Sequence, residues 1–377
     1  MESNNKQKIF KYEASDVQQN IHLENKNSNI AIRYIIKLNE WKFQEYPIED
    51  FVVVEENKND NEETENELLM KYYHKDLDHE NGPQVRFVII QSFDHDSLCI
   101  TITHMICDGT DFKKFLYMFC DLYTNPEHFN DYPEVKDRSY MEFFKNLSFK
   151  KKWDILTSNM ITPAENIHLD LKGDPNRPFY EKRSLTQEDY FKLKEYSKAK
   201  GVTLNDLFFT AMMRTLYNIL NKIVSIHCDI KLRRFLKDNK PENITNMISA
   251  LDCSIGDEIG KQKDDISCSK GFLLIEIAKK ILPYRVVKLI LKTFMPYCSF
   301  DISNVGIIDK SKVLFKNVQP TSVILSGSTH NVPAFCLLTS TFDNIITFCI
   351  NLYGTPEDQK LINNALDNFI KELTSII

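Results

Sequence analysis

Glycine is scarce in this chain, with 10 among 377 residues. Phosphate-cradling loops and dinucleotide-binding fingerprints need glycine where the backbone approaches a ligand closely. One stretch, GDEIGK at 256–261, resembles a phosphate-binding loop, but its two glycines stand one residue too close together and no Ser or Thr follows the lysine. The sequence therefore argues against an enzyme with a glycine-rich phosphate-binding loop or a dinucleotide-binding fingerprint.

Patterns for metal sites, disulfides and membrane spans are also missing. The nine cysteines form no C-x-x-C pair, and most lie in apolar runs, which is typical of reduced core residues in a cytosolic protein. The histidines show no ligand spacing, so no metal is predicted. No uncharged run approaches the roughly 18 residues of a membrane span, and the first eight residues are polar. We expect a cytoplasmic protein without stable membrane insertion.

The charge balance excludes another class of partner. The formal net charge is −6, so no chain-wide positive field attracts nucleic acid. Hydrophobic residues make up 42% and aromatic residues 11%, which is enough for well-packed cores. A length of 377 residues suggests two domains or halves. The Gly- and Pro-containing stretch 173–178 is the best linker, so we divide the chain into 1–172 and 173–377.

Hydrophobic periodicity predicts the secondary structure. Strands are predicted at 30–38, 51–55, 85–90, 98–103, 225–232, 247–255, 300–308, 322–329, 334–341 and 345–352, the two at 85–90 and 98–103 forming a hairpin. Helices are predicted after Gly109, at 187–200, from Thr203 or Asn205 to Leu220, and from Glu357. The acidic, Asn-rich stretch 55–67 predicts a mobile loop, and 271–300 predicts a pair of basic amphipathic helices. The class is α/β or α+β with mixed sheets.

The stretch from His104 to Gly109 carries the strongest chemical signal. It reads His-x-x-x-Asp-Gly and falls on a predicted strand-to-helix connection. A neutral imidazole is well suited to taking a proton near pH 7, so His104 is a candidate general base. Asp108 stands too far along the turn to be assumed a partner of the histidine. We expect it to hold the backbone through an arginine or through loop amides, while Gly109 allows the turn.

These residues resemble the signature of the CoA-dependent acyltransferase superfamily, which includes nonribosomal-peptide condensation domains, alcohol acetyltransferases, wax ester synthases and plant acyltransferases. Thr103 stands where many members have a preceding histidine. Three further passages are similar to the same superfamily, in the same order. They are GVTLND at 201–206, IKLR at 230–233 together with NMISA at 246–250, and ISNVG at 302–306.

The resemblance implies an α/β fold with mixed sheets, in which two chloramphenicol-acetyltransferase-like halves form a pseudo-dimer around a central tunnel. It implies no permanently bound cofactor, with acyl-CoA or acyl-phosphopantetheine as co-substrate and an alcohol or amine as acceptor. By this resemblance the catalytic positions are His104, Asp108 and Gly109, the pantetheine-binding positions are Ser303, Asn304 and Gly306, and the possible salt-bridge partners of Asp108 are Arg86 and Arg233. A monomer is expected, and an acyl or peptidyl carrier protein is a candidate partner.

The chain departs from the family pattern in two places. Phe51 follows Leu38 by only 13 positions, where members usually have a long helix, and the Asp-Phe-Gly-Trp signature of the plant branch is absent. A catalytically degenerate binding or docking module is therefore a second hypothesis for the function.

Cys107 is a candidate for a different chemistry, because it could act as an acyl-accepting nucleophile beside His104. The trimeric acetyltransferases share the His motif but carry it near the carboxyl terminus, unlike this chain. The basic segment 279–292 could dock an acidic carrier protein.

Overall fold

The computed structural model describes most of the chain from residue 46 onward. The described residues are 11–13, 40–42, 46–78, 82–104, 106–132, 144–145, 147–158, 167–235, 247–253, 269–270, 273–274, 278, 281–283, 286 and 300–377. The predicted strand at 30–38 and most of the predicted helix pair at 271–300 lie outside the described residues. The same holds for most of the basic segment 279–292.

The described residues group into two compact units. The first runs to Phe112 and the second begins at Lys113. Each unit is described by itself below. The division into functional halves 1–172 and 173–377 stays a prediction.

The first unit is built on a small mixed sheet. Strand β3 (Val52–Glu56) runs parallel to β4 (Val85–Gln91), and β4 pairs antiparallel with β5 (Asp96–Ile102), which confirms the predicted hairpin. Two short strands, β1 (Lys11–Glu13) and β2 (Glu40–Lys42), pair antiparallel before them. Ile48–Asp50 forms a 3₁₀ turn, and the described residues between β2 and β3 contain no α-helix.

The mobile loop predicted at 55–67 is wrong, because α1 (Glu62–Tyr73) begins within it. The Asn61 side chain caps the helix by accepting the Thr64 N–H at 2.8 Å, and three glutamates occupy the first turn, where the helix dipole favours negative charge. The apolar side chains come later in the helix and pack on Val88 and Ile90 of β4. Hydrophobicity alone does not distinguish such a charged first turn from a loop.

The second unit contains a seven-stranded mixed sheet and most of the helices. Its strands are β6 (Pro178–Leu185), β7 (Ile226–Lys231), β8 (Ile248–Cys253), β9 (Phe300–Ile308), β10 (His330–Asn331), β11 (Phe335–Phe342) and β12 (Ile345–Tyr353). The strand order is β8-β7-β9-β11-β12-β6, and β10 pairs with the end of β12. The β7–β9, β9–β11 and β10–β12 pairs are parallel, and the others are antiparallel.

Three helices supply the core that covers one face of this sheet. They are α4 (Gln187–Lys200), α5 (Leu204–Leu220) and α6 (Pro356–Thr374), each opened by a threonine capping box. Alternate strand residues such as Phe300 and Ile302 enter this core, and α5 is buried along most of its length. The predicted helices at 187–200, from Thr203 to 220 and from 357 are confirmed.

Two further α-helices are described, together with 3₁₀ helices at Pro126–Asp131, Leu232–Phe235 and Lys310–Lys312. Helix α2 (Gly109–Thr124) follows β5, as predicted, and α3 (Phe149–Thr157) has Ser148 as its N-cap. None of the described helices is both long and apolar enough to cross a bilayer. The strand predicted at 322–329 is wrong, because these residues run as irregular chain between β9 and β10.

The Gly- and Pro-containing stretch at 173–178 is held against the start of α6. The buried Asp358 carboxylate accepts the backbone N–H groups of Lys172 and Gly173, each at 2.9 Å, and that of Thr355 at 2.8 Å. Burial tends to raise the pKa of Asp358, but these amides outweigh it and hold the pKa below its ordinary value. Gly173 has φ +75°, a conformation that favours glycine.

Replacing Asp358 with alanine should lower the free energy of unfolding by about 2 to 4 kcal/mol in urea unfolding at pH 7, because several buried donors lose their acceptor.

The contribution of the Asp358 charge should depend on pH. The folded-state pKa lies below the unfolded one, so the carboxylate stabilises the fold above the unfolded pKa, and this stabilisation is lost as pH falls through the folded pKa. Urea unfolding at pH 7 and near pH 3 should show a smaller gap between wild type and Asp358→Asn at the lower pH. Asp367→Asn, at an exposed position of the same helix, is the control and should cost under about 1 kcal/mol. A gap that is independent of pH would contradict the role of the charge.

Candidate active site

His104 lies on the short connection between β5 and α2. Thr103, just before it, is buried, and its N–H donates to the Gln84 carbonyl at 3.0 Å. The Ile106 N–H closes a tight turn by donating to the Thr103 carbonyl, also at 3.0 Å. The turn leaves His104 half-buried at the end of the strand. A histidine in this position combines a fixed backbone with a partly accessible ring.

Asp108 caps the helix that follows. Its Oδ1 accepts the N–H groups of Thr110 at 2.9 Å and Asp111 at 3.0 Å, and the residue is 1% exposed. An N-terminal aspartate satisfies otherwise unpaired helix donors and interacts favourably with the helix dipole. Gly109 is the first residue of the helix. Of the two arrangements expected for Asp108, the one with loop amides is present.

The expected salt bridge between Arg86 and Asp108 is wrong. The Arg86 guanidinium donates to the backbone carbonyls of Lys75 at 2.7 Å, Asp76 at 2.9 Å and Tyr72 at 3.5 Å. These carbonyls lie at and just beyond the C-terminal end of α1, where a cation is favourable. Arg86 therefore fastens α1 to β4. The side chain of Arg233, the second candidate, lies outside the described residues.

Cys107 is a poor fit for a nucleophile. Cys107 is only 3% exposed. A reactive thiol needs access to its substrate as well as an activating neighbour. The geometry favours a core cysteine at this position.

The second predicted motif forms a bulge in β9. Asn304 pairs with Thr339 of β11, while Gly306 pairs with the next residue, Ser340, so Val305 is the extra residue. Bulges are uncommon in parallel pairs and often re-aim side chains. Gly306 has φ +81°, which favours glycine, and its N–H donates to Asn304 Oδ1 at 2.8 Å.

Asn304 also connects two of the sequence motifs. Its Nδ2 donates to Asn205 Oδ1 at 3.1 Å, in the first turn of α5. Ser303 points to the opposite face of the sheet, and its hydroxyl has no hydrogen bond within the described structure. Asn304 is thus engaged in the fold itself, whereas the Ser303 hydroxyl remains available to a ligand.

Lys113 is a residue that the sequence reasoning missed. Strand β7 pairs with β9 only at Asp301 and Ile302, so the edge of β9 beyond them lacks that neighbour. Lys113 Nζ fills the gap by donating to the carbonyls of Val305 at 3.0 Å and Ile307 at 2.9 Å. Burial, together with the charge of Lys231, lowers the pKa of Lys113 to about 8. No local pattern distinguishes Lys113 from its neighbour Lys114.

A half-buried acidic residue, Asp301, lies on the same strand. Asp301 faces away from the helices, and Cys336 Sγ donates to its Oδ2 at 3.3 Å. Burial first, and the negative charge of Asp229 second, raise the pKa of Asp301 well above its ordinary value. Its Oδ1 is buried without a partner in the described part of the chain. Asp301 therefore holds its proton to a higher pH than an ordinary aspartate does.

The predicted site residues thus fall into two groups. His104, Asp108 and Gly109 belong to the first unit, and Ser303, Asn304 and Gly306 belong to the second. Within each group the structure brings the residues together. The tunnel to which both groups would contribute stays a prediction. The described residues contain no cluster of three or more His, Cys, Asp or Glu side chains arranged to hold a metal ion.

Comparison by sequence finds no matching family model and no matching curated protein. Comparison by structure finds many similar solved chains. The cyclization-docking bidomain EpoB of a nonribosomal peptide synthetase from Sorangium cellulosum is 13% identical, with a TM-score of 0.56, over 98% of this chain and 79% of that chain.

Two other solved structures are similar over most of the chain. The trichothecene 15-O-acetyltransferase from Fusarium sporotrichioides is 12% identical with a TM-score of 0.54, over 86% of this chain and 77% of that one. The first condensation domain of the calcium-dependent antibiotic synthetase, solved with a substrate analogue, is 12% identical with a TM-score of 0.53, over 86% and 75%. The mixed α/β fold implied by the resemblance is confirmed, since the condensation domain and the acetyltransferase share it.

Replacing Asn304 with alanine should lower the free energy of unfolding by about 1 to 3 kcal/mol, since it removes the contacts to Asn205 and Gly306. A double-mutant cycle with Asn205→Ala should give a coupling of roughly 0.5 kcal/mol or more. Ser303→Ala is the matched control and should stay within about 0.5 kcal/mol of wild type in urea unfolding. Equal destabilisation by Asn304→Ala and Ser303→Ala would show that the hydrogen bonds of Asn304 to Asn205 and Gly306 do not stabilise the fold.

Lys113 should make the stability depend on pH in the alkaline range. Its folded-state pKa of about 8 lies below the ordinary value of 10.5, so the unfolded chain binds more protons between these two values and stability rises with pH there. Lys113→Met should lack this contribution. Urea unfolding at several pH values between 7.5 and about 10 should show wild type gaining on the variant. Parallel curves for the two proteins would contradict the lowered pKa.

Proposed function

We propose that this protein is an acyltransferase that moves an acyl group from a CoA or carrier-protein thioester to an alcohol or amine. The observation that carries the proposal is the placement of His104, on a closed turn between β5 and a helix capped by Asp108. This arrangement occurs in a chain whose fold is that of condensation domains and acetyltransferases. The fold supports acyl transfer as the general class of reaction, and the position of His104 supports general-base catalysis.

In the proposed reaction, His104 acts as general base. It takes the proton from the acceptor O–H or N–H as that atom attacks the carbonyl carbon of the thioester. The C–S bond then breaks, and the protonated imidazole returns the proton to the departing thiolate. The thiol and the new ester or amide are the products. No acyl-enzyme forms, and no cofactor stays bound between turnovers.

The remaining site residues have supporting roles in this proposal. Asp108 positions the turn of His104 through the amides of Thr110 and Asp111. The Ser303 hydroxyl is the group of the second motif that would contact the pantetheine arm, since Asn304 is engaged with Asn205 and Gly306. The acyl donor in this proposal is either free acyl-CoA or a carrier protein that bears the acyl group on a phosphopantetheine arm.

Purified protein should be incubated with a panel of acyl-CoA and carrier-bound thioesters and a panel of alcohols and amines, with release of free thiol as the readout. His104→Ala should lower kcat/KM by about 10²- to 10⁴-fold, the usual contribution of a general base. His95→Ala is the matched control, because His95 is an exposed histidine that pairs with Asp94 and Glu65. It should leave turnover unchanged.

Equal turnover by wild type and His104→Ala would overturn the catalytic assignment. Tight thioester binding by wild type without any transfer would instead favour the degenerate binding module. A direct binding measurement with a nonhydrolysable acyl-CoA analogue separates these outcomes.

A further inference from the structure

Helix α3 presents its large apolar side chains to solvent. Phe149, Trp153 and Leu156 are 81%, 59% and 50% exposed. Their i, i+4, i+7 spacing places them within about 60° of one another around the helix, given 100° per residue. We call these three residues the α3 stripe.

The opposite side of the helix is fixed to the second unit. Ile155 is fully buried, and Lys151 Nζ donates to the Phe235 carbonyl at 3.2 Å. At the C-terminal end, Lys270 Nζ donates to the carbonyls of Leu156, at 3.1 Å, and Ser158. The helix is therefore anchored by one isoleucine and two lysines, and its most apolar face is the outward one, opposite to the usual orientation of a surface helix.

Positive charge flanks the stripe on both sides. Lys150 lies on one side of it, and Lys152 on the other, with its Nζ bonded to the Lys145 carbonyl at 3.1 Å. Residues 145–157 contain four lysines and one aspartate, although the whole chain carries a net charge of −6. The basic character is thus local to this helix.

We propose that the α3 stripe docks onto an anionic membrane surface. Aromatic and leucine side chains enter the boundary between lipid headgroups and acyl chains, while flanking lysines pair with anionic headgroups. The stripe is a convex row on a single helix with lysines on both flanks, which fits a flat, negatively charged interface. This contact is peripheral and brings the second unit to the lipid surface.

Trp153 provides a direct reporter. The chain has two tryptophans, so Trp41→Phe leaves Trp153 as the only one. With vesicles of phosphatidylcholine and phosphatidylserine, its emission should shift to shorter wavelength and become protected from iodide quenching. Vesicles of phosphatidylcholine alone should produce a much smaller shift.

Co-sedimentation with sucrose-loaded vesicles tests the same contact without the Trp41→Phe substitution. Replacing Phe149, Trp153 and Leu156 together with serine should weaken binding at least tenfold, and Lys150→Glu with Lys152→Glu should weaken binding only to anionic vesicles. Raised salt should also weaken binding. The matched control replaces the exposed Phe93 and Phe129 with serine, which removes apolar surface elsewhere. It should bind like wild type.

Circular dichroism and thermal melting of each variant establish that it is folded, which is expected for substitutions at exposed positions. Absence of wild-type binding to anionic vesicles, or unchanged binding by the folded serine variant, would overturn the proposal. The proposal would also be overturned if the serine variant kept its vesicle binding but lost the ability to dimerise or to bind an acidic carrier protein. The α3 stripe would then serve a protein interface.

Discussion

Successive side chains of a β-strand point to opposite faces of its sheet, and this alternation sets the direction of each side chain along the first half of β9. Phe300 and Ile302 of β9 enter the core beneath α4, α5 and α6, so Asp301 and Ser303 must face the other side. The carboxyl group of Asp301 and the hydroxyl group of Ser303 therefore lie on the face of the sheet away from this core. Apolar burial fixes their direction without any contact to them. The same alternation places Asn304 on the helix side, where it meets Asn205.

The bulge in β9 interrupts this alternation where β7 no longer pairs with it. The extra residue and the positive φ of Gly306 would leave two backbone carbonyls and one backbone N–H without partners in the sheet. Asn304 Oδ1 accepts the Gly306 N–H, and Lys113 Nζ donates to the carbonyls of Val305 and Ile307. Side chains therefore provide the hydrogen bonds that the irregular backbone lacks. An irregular strand held in this way keeps one geometry, as the proposed contact with a thioester arm requires. Asp108 has the corresponding role at the turn of His104.

Much of this arrangement could be predicted from residue patterns, and the failures have physical causes. Apolar periodicity locates β9 and α2 correctly, because burial of regularly spaced apolar side chains dominates their energetics. The first turn of α1 is charged because it lies at a helix N-terminus, so hydrophobicity alone predicts a loop there. The run at 322–329 has strand-like residues but no paired neighbour among the described strands. Arg86 and Lys113 bind backbone carbonyls, which are the same for every residue type and leave no trace in the sequence.

The pairing of β6 with β12 has a consequence for how the chain matures. All residues of β6 pair with residues of β12. The backbone N–H groups of Lys172 and Gly173 donate to the carboxylate of Asp358. These partners are separated by more than 150 positions. Contacts of such long range close slowly, and on the ribosome the early strand is made well before its partner. During synthesis β6 therefore carries an unsatisfied edge, which is a template for association between nascent chains and a binding site for chaperones.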